Sequence, residues 1–244
     1  MLPYKQEWRR FDKQVWNDLG HMTLASVVGT SAGNRAAEAL FGWIGVWLAS
    51  YVSMPRYLLV SWPLVLQLVA VWLLAELGRY VQHRLHHRYL WMWDFHKLHH
   101  SVQAMGVLKT TRSHLVERVL QQLFMIGPLF LIGTPPWLVA SYIVPSSLIG
   151  QLDHSNADVR FGILDRIFTG PAAHRYHHAT DMGLSNSNFG SAMVIWDRLF
   201  GTFSDPRTAG DHGPMGIDGD DTPDGFQAQV LLPFRDAFRK KNGT

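Results

Sequence analysis

Three copies of the pattern His-x-x-His-His occur in this chain of 244 residues, and they account for nine of its thirteen histidines. Side chains three and four positions apart share one face of a helix, so each copy can aim several imidazole rings at a common point. Imidazole nitrogen is a ligand for zinc, copper, iron and nickel. The pattern therefore predicts a metal site. Its members are His83, His86 and His87; His96, His99 and His100; and His174, His177 and His178.

The number of histidines predicts two metal ions rather than one. A closed structural zinc site needs four ligands, and the three boxes offer more than twice that number. Adjacent residues such as His99 and His100 diverge by about 100° around a helix, which is enough to serve two neighbouring ions. Residue type alone leaves the identity of the metal open.

The four histidines outside the boxes, and His86 within the first box, are interpreted separately. His154 follows the last of four apolar segments and is predicted to be a further ligand. His86 is ambiguous, because its neighbours in the first box already make an i, i+4 pair. His114 is left open between a supporting role and no role at the site. His21 and His212 are interpreted as ordinary buried or surface residues.

Four apolar stretches must position these boxes, and the pattern predicts an all-α fold. They cover residues 36–52, 57–76, 119–133 and 137–152. Turn-like sequences at 53–56 and 134–136 join these stretches in two pairs, so we expect about four transmembrane helices in two hairpins. Some stretches are short for a full span. Partial insertion, and the core helices of a soluble bundle, remain alternatives.

Composition and charge support the membrane interpretation. Only 17% of residues are charged, against the roughly 25% usual in soluble domains. Most Lys and Arg lie outside the apolar pairs, so both termini and the boxes are predicted to be cytoplasmic. No basic run indicates nucleic-acid binding. The absence of cysteine excludes a disulfide framework and a thiolate site. We expect one catalytic domain over residues 1–203, with 1–35 as an amphipathic lead-in, and an irregular tail over 204–244.

The histidine boxes and their flanking residues resemble the fatty acid hydroxylase and sterol desaturase superfamily of membrane di-iron enzymes. Residues 80–87 are similar to its first box and 90–101 to its second. Further matches lie at His154-Ser155-Asn156, at the third box, at Asn188-Phe189-Gly190 and over residues 196–202. The resemblance spans most of the chain, and its ordered boxes are specific. It implies membrane helices under a cytosolic helical cap that carries the histidine boxes.

The resemblance implies an O2-dependent oxidoreductase of the monooxygenase type that hydroxylates or desaturates a membrane lipid, such as a fatty acyl chain or a sterol. It implies two iron ions, with zinc possible in isolated protein, and electrons from an external reductase or small electron carrier. The expected ligands are His83, His87, His96, His99, His100, His154, His174, His177 and His178.

Several other residues are candidates for a further ligand or for orienting the ligand rings through their second nitrogen, as metal-bound histidines usually require. For the aspartates, helix capping and surface charge are equally good explanations. The candidates are His86, His114, Asp94, Asp153, Asp181, Asn188 and Asp197.

Two other functions compete with lipid oxidation. Histidine-rich zinc sites activate water for hydrolysis, although no box here contains the Glu of the His-Glu type of zinc protease. A non-catalytic membrane protein that binds or transports metal is the second alternative. Such proteins place ionisable groups inside their spanning segments, whereas these histidines lie outside the apolar stretches.

Overall fold

A computed structural model describes residues 3–9, 14–52 and 57–242, with side chains described as far as residue 238. Those residues form helices and connecting loops, and the same ranges contain no β-strand, only isolated β-bridges such as Phe168 with Met193. The helical class predicted from the sequence is confirmed. The predicted turn at 53–56 lies outside the described residues.

The first helix, α1, runs without a break over residues 15–52. It alternates α-helical segments with two π-helical ones, Met22–Gly29 and Glu38–Gly42. The sequence predicted a helix only from residue 36, with a separate lead-in before it. Asn34, Arg35 and Glu38 interrupt the apolar pattern without breaking the helix. The nearest prolines in sequence are Pro3 and Pro55, and no proline lies between them.

The second helix, α2, covers Leu64–Arg88 and carries the first histidine box at its end. Tyr89 is extended and separates α2 from α3, Leu90–His100, which carries the second box. Within the described ranges, α2 is the helix long and apolar enough to cross a membrane, and 28% of its apolar window is buried. The four-span topology remains a prediction.

The second predicted hairpin consists of α4, Leu115–Leu131, and α5, Pro136–Asp153. Gly133 between them has a positive φ of 68°, a conformation that glycine adopts at little cost. Pro136 begins α5 at a position where its missing N–H is harmless. The predicted stretches, 119–133 and 137–152, lie within four residues of the observed helix ends.

Helix α4 lies at the centre of the bundle, and glycines let its neighbours approach. A Cβ on Gly33 of α1 would lie 2.7 Å from the Gln122 Cβ, and one on Gly78 of α2 would lie 1.9 Å from the Phe124 carbonyl oxygen. Small residues at helix contacts allow such close backbone packing. The main apolar core lies where α1, α2, α4 and α5 meet, around Ala75, Leu129 and Tyr142.

The rest of the chain forms short helices and loops beside the boxes. These helices are α6, Pro171–His177; α7, Met182–Ser185; and α8, Ile195–Leu199. Short 3-10 helices occupy Gln6–Arg9, Val107–Thr111 and Gly162–Arg166. The expected irregular tail differs from the structure, because Phe226–Asn242 forms a further helix, α9. Its N-terminal half packs on α3, where the Phe234 and Phe95 rings lie 5.8 Å apart.

Candidate metal centre

All nine histidines predicted to bind metal lie in two adjacent clusters. Within each cluster the candidate ligand atoms lie within 4.8 Å of one another. One cluster, called here site A, contains His83, His87, His96, His100 and His177. The other, site B, contains His99, His154, His174 and His178. Rings of His100 and His178, one from each site, stack with centroids 4.5 Å apart, so the two sites share a wall.

The local helical geometry explains how the boxes divide between the two sites. On α2, His83 and His87 are one turn apart and both face site A. On α3, His96 and His100 face site A while His99 faces site B, as the angle between adjacent helical residues requires. The third box divides in the same way, with His177 in site A and the other two histidines in site B.

In both sites the Nε2 atoms converge. In site A, His83 and His96 have Nε2 atoms 3.0 Å apart, and the His100 Nε2 lies 3.1 Å from those of His96 and His87. In site B, the His154 Nε2 lies 3.2 Å from that of His99 and 3.0 Å from that of His174. Nitrogens bound about 2.1 Å from one ion, at right angles, would lie roughly 3.0 Å apart.

Several of the opposite ring nitrogens bond to backbone or side-chain acceptors, whereas Nδ1 of His99, His174 and His178 has no partner among the described residues. His83 donates from Nδ1 to the Phe189 carbonyl, His154 to that of Gly150 and His177 to that of Ser187, at 2.8, 2.9 and 2.8 Å. A carbonyl oxygen can only accept, so in the neutral ring the proton sits on Nδ1 and Nε2 carries a free lone pair. This is the tautomer that a metal ligand needs.

The position of the proton on each imidazole ring shows whether its Nε2 atom is available to bind a metal ion. His83 and His96 both have Nδ1 bound to acceptors, so their Nε2 lone pairs face each other across 3.0 Å with no proton between them. The buried Nε2 of His177 has no hydrogen-bond partner in the described part of the chain. Facing lone pairs and an unpartnered ring nitrogen are costly without a cation and favourable with one. The donor set therefore fits a metal ion.

Burial keeps these imidazoles neutral. Desolvation lowers the pKa of His154 to about 4 and that of His177 to about 3. It is also the largest cause of the lowered pKa of His96, His99, His100, His174 and His178, and neighbouring histidines lower the pKa of each further. Neutral rings at ordinary pH are ready to accept a metal ion.

The sequence reasoning missed Glu117. This residue lies in the first turn of α4, is 2% exposed, and accepts a hydrogen bond from the His96 Nδ1 at 2.8 Å through its Oε1. A carboxylate behind a ligand histidine fixes the ring and raises its basicity. The residue stands alone at the start of an apolar helix, so no local motif marks it. Only the packing of α4 against α3 reveals the contact.

Two of the predicted orienting residues act on the backbone rather than on a ring. Asp197 accepts from the backbone N–H groups of Phe189 and Gly190, at 2.8 and 2.7 Å. It thereby holds the loop whose carbonyl accepts from His83. Burial raises the pKa of Asp197 to about 6. Asn188, with φ of 54°, bonds to the Ala173 carbonyl at 3.0 Å and supports the same loop.

The remaining candidates belong to neither cluster. Asp181 caps α7 by accepting from the Gly183 N–H at 2.7 Å, which matches the capping alternative. Asp94 is buried on α3, and Asp153 is buried at the end of α5. His86 donates from Nδ1 to the Gln82 carbonyl and belongs to neither cluster.

The other histidines have structural partners. His114 caps α4, where its Nδ1 accepts from the Val116 N–H, and its Nε2 bonds to the Val230 carbonyl of α9. His21 bonds to Gln229 and His212 to Tyr4, each at 3.0 Å. All three lie outside the two clusters.

A cavity of about 300 Å³ opens beside both sites. Its lining includes His83 of site A and His99, His154 and His174 of site B. Residues from α1, α2, α4 and α5 form most of the rest of the wall, and Thr110, Thr111, Ser113, Gly190 and Ser191 complete it, so the space lies between the helical bundle and the histidines. A volume of this size accommodates a small molecule or part of a larger one.

Fold and site together define an all-helical protein with two adjoining buried histidine clusters under an apolar bundle. The chain belongs to the fatty acid hydroxylase family, whose model matches residues 68–202 and so covers all three boxes. No solved structure matches the chain significantly.

Several relatives match much of the chain. Ornithine lipid hydroxylase OlsE of Rhizobium tropici is 35% identical over 99% of this chain and 72% of its own length. Methylsterol monooxygenase 1 of Danio rerio is 30% identical over 82% of the chain and 64% of its own. Alkylglycerol monooxygenase of Xenopus tropicalis is 29% identical over 65% of the chain. The chain spans only 36% of that relative's length.

Proposed function

We propose that this protein is a di-iron oxygenase that hydroxylates a C–H bond of a membrane lipid with O2. The observation that carries the proposal is the convergence of nine histidines into two adjoining sites beside one cavity. Two sites sharing a wall are what a pair of cooperating metal ions requires. A single structural ion would need only one of them.

We assign iron to the sites on family membership and donor chemistry. Imidazole donors accommodate iron, and zinc could replace it in isolated protein. Iron supplies the one-electron and O2 chemistry that side chains lack. The nine clustered histidines would hold the ions, and Glu117 would orient the ring of His96.

The proposed reaction balances as R–H + O2 + 2 e⁻ + 2 H⁺ → R–OH + H2O. One oxygen atom enters the broken C–H bond, and the other leaves as water. The two electrons come from an external reductase or small electron carrier. The relatives' names, hydroxylase and monooxygenase, favour oxygen insertion over desaturation. Ornithine lipid, alkylglycerol and sterol substrates are all compatible with the family.

The chain's own part in this reaction is placement and exclusion of water. Buried histidines, each 7% exposed or less apart from the half-buried His87, line or adjoin the cavity, so the reacting carbon would be held away from bulk solvent. The loop around Phe189 keeps His83 in position, and Asp197 keeps that loop in position. We place this catalytic unit within residues 1–203.

We further propose that the apolar bundle is embedded in a membrane. Large apolar side chains are exposed along α1, α2 and α5, among them Trp43, Val65 and Leu148 at 67%, 69% and 62%. An exposed apolar surface of this kind indicates contact with lipid. Helix α2 would enter the bilayer at its Leu64 end, and the histidine boxes would lie toward the cytoplasm.

The lipids of host cells that express or lack the chain test the proposal, together with the metal content of the detergent-purified protein. We expect about two iron ions per chain, in keeping with the two sites, and lipids that gain the mass of one oxygen only when O2 and a reductant are present. Loss of two hydrogens would indicate desaturation. Metal-loaded protein that changes no lipid and consumes no O2 would support the transport alternative.

A further inference from the structure

A single peptide group lies between His83 of site A and a buried carboxylate. On one side, the Phe189 carbonyl oxygen accepts a hydrogen bond from the His83 Nδ1–H at 2.8 Å. On the other side, the N–H of Gly190, which belongs to the same peptide group, donates to Oδ2 of Asp197 at 2.7 Å. In a trans peptide the C=O and N–H bonds point in opposite directions. The Phe189–Gly190 peptide group therefore connects the imidazole to the carboxylate.

The carboxylate of Asp197 is fully buried and is bonded by three donors. Besides the Gly190 N–H, these are the N–H of Phe189 and the hydroxyl of Thr202, each at 2.8 Å. None of the three donors is charged. Burial raises the pKa of Asp197 to about 6, so most of the carboxylate is ionised at pH 7.5. Its negative charge thus acts on the peptide group that faces His83.

A charged acceptor on the N–H of a peptide group makes its carbonyl oxygen a stronger acceptor. Hydrogen bonds arranged in a chain polarise one another, and bonds to an ionised group are the strong ones. A carboxylate behind a metal-bound histidine fixes the ring and raises its basicity. Glu117 contacts His96 directly in this way, at 2.8 Å. Asp197 reaches His83 with one peptide group between them.

His177 of site A provides an internal comparison. Its Nδ1–H also donates to a backbone carbonyl at 2.8 Å, that of Ser187. The N–H of that second peptide group belongs to Asn188, and it donates to the neutral Thr202 carbonyl at 2.9 Å. The two histidines therefore have acceptors of the same type and distance. Only the acceptor of His83 is backed by a carboxylate.

A second buried carboxylate ties the loop of residues 189–193 to the helix that carries His83. Glu76 of α2 accepts from the backbone N–H groups of Ala192 and Met193, at 3.2 and 3.1 Å. It also accepts from the Tyr142 hydroxyl at 2.6 Å. Glu76 precedes His83 by about two helical turns. The loop is therefore attached at both ends, and it would keep one attachment if the charge of Asp197 were removed.

We propose that Asp197 is a positioning residue for site A, which strengthens His83 as a metal ligand through the Phe189–Gly190 peptide group. On this assignment, two histidines of site A are supported by carboxylates, His96 by direct contact and His83 through the backbone. The inference rests on the proposed function only in requiring that site A binds a metal ion.

Proton resonances of the zinc-loaded protein test the inference without lipid, O2 or reductant. The protein is labelled with ¹⁵N-histidine in detergent at pH 7.5, and each Nδ1–H signal is assigned from its contact with Phe189 or Ser187. A stronger hydrogen bond moves the proton resonance downfield, so we expect the His83 signal downfield of the His177 signal. Equal positions of the two signals would overturn the inference and leave the proposed function intact. If the protein binds no zinc, both fail.

Removal of the charge provides a second test. In Asp197→Asn, we expect one of the two zinc ions to bind roughly tenfold more weakly in competition with a chelator, and the His83 Nδ1–H signal to move upfield. Thr202→Val is the matched control, because it removes a neutral donor from the same carboxylate and leaves both backbone bonds to Asp197 in place. It should keep both the zinc affinity and the His83 signal. Equal zinc loss in the two variants, with an unchanged His83 signal, would show a structural role alone and overturn the inference.

Discussion

At the scale of single residues, the proposed metal binding depends on how the imidazole rings are oriented. The backbone carbonyls of Phe189, Gly150 and Ser187 each accept a hydrogen bond from the Nδ1–H of one histidine. Each leaves an Nε2 lone pair aimed into a cluster. Spacing within the boxes made eight of the nine clustered histidines predictable, because side chains three and four residues apart share a face of any helix. His154 was predicted from its place after the last apolar segment. The Phe189 carbonyl lies 106 residues from His83 in sequence, whereas those of Gly150 and Ser187 lie four and ten residues from their histidines. Every residue has a backbone carbonyl, so no sequence pattern marks these three acceptors.

The carboxylate of Glu117 offers a test at the scale of one residue. Glu117→Gln keeps the shape of the side chain but removes the charge that supports His96, so we expect iron affinity or activity to fall roughly 10–100-fold. Metal content after dialysis against a chelator measures the effect. Asp181→Asn is the control, since Asp181 caps α7 and contacts neither cluster, and it should retain its iron.

The first histidine box contains its own internal control. His87→Ala removes a member of site A, whereas His86→Ala removes a ring that bonds to the Gln82 carbonyl outside both sites. We expect the His87 variant to lose iron and the His86 variant to keep it, although the latter should unfold at a lower temperature. Equal iron loss in both variants would mean that His86 is also a ligand.

The lowered pKa values of the histidines predict how the metal-free protein responds to acid. In the unfolded chain these rings bind protons below about pH 6.5, whereas in the folded chain His154 and His177 resist protonation down to about 4 and 3. The unfolded state therefore binds more protons, and the free energy of unfolding should fall as pH drops from about 6.5 toward 3. The raised pKa of Asp197 acts in the opposite direction, but histidines outnumber it.

Urea unfolding of the apoprotein at several pH values measures this dependence. Stability that stays constant from pH 7 to pH 4 would contradict the burial of neutral imidazoles. Iron release from the loaded protein should follow the same direction, because protons compete with the metal for Nε2.

At the scale of elements, close helix packing sets the distances between the boxes. Helix α2 approaches α4 at Gly78, where an added Cβ would meet the Phe124 backbone oxygen at 1.9 Å. Five residues further along α2, His83 enters site A. The two helices therefore position the site as a unit, and a small change in their separation should displace a ligand.

Gly78→Ala tests this coupling. We expect the larger side chain to force α2 from α4, destabilise the fold by about 1–3 kcal/mol and reduce iron content. Thermal unfolding in detergent and metal analysis report both effects. Gly42→Ala is the matched control on α1, because nothing lies within 4 Å of its added Cβ, and it should be neutral or slightly stabilising. Equal stability and equal iron content in the two variants would mean that the separation of α2 and α4 does not set the metal sites.

The helices also show where sequence patterns stop being informative. The hairpin of α4 and α5 was predictable, since Pro135 and Pro136 divide two apolar runs. The full length of α1 was not, because polar residues interrupt its apolar pattern without breaking its backbone. The cavity was hidden for a related reason. Asn34, Arg118 and Gln122 appear as isolated polar residues in sequence and converge only after folding.

At the scale of the whole molecule, the topology in the membrane remains a prediction that can be tested directly. The chain has no cysteine, so single cysteines introduced at exposed positions report sidedness without background. Ser61→Cys lies just before α2, and Asp220→Cys lies between α8 and α9. If α1 and α2 span the bilayer as a hairpin, an impermeant thiol reagent should label the two positions from opposite sides. Labelling of both positions from the same side would contradict the hairpin.

The central claim concerns the source of the oxygen in the product, and isotope labelling tests it most directly. Cells or membranes containing the chain are supplied with ¹⁸O2 in ordinary water, and the modified lipid is examined by mass. Insertion from O2 predicts one ¹⁸O atom in each hydroxylated lipid. A product whose oxygen comes from water, or a lipid cleaved without oxygen uptake, would contradict the oxygenase and indicate metal-assisted hydrolysis.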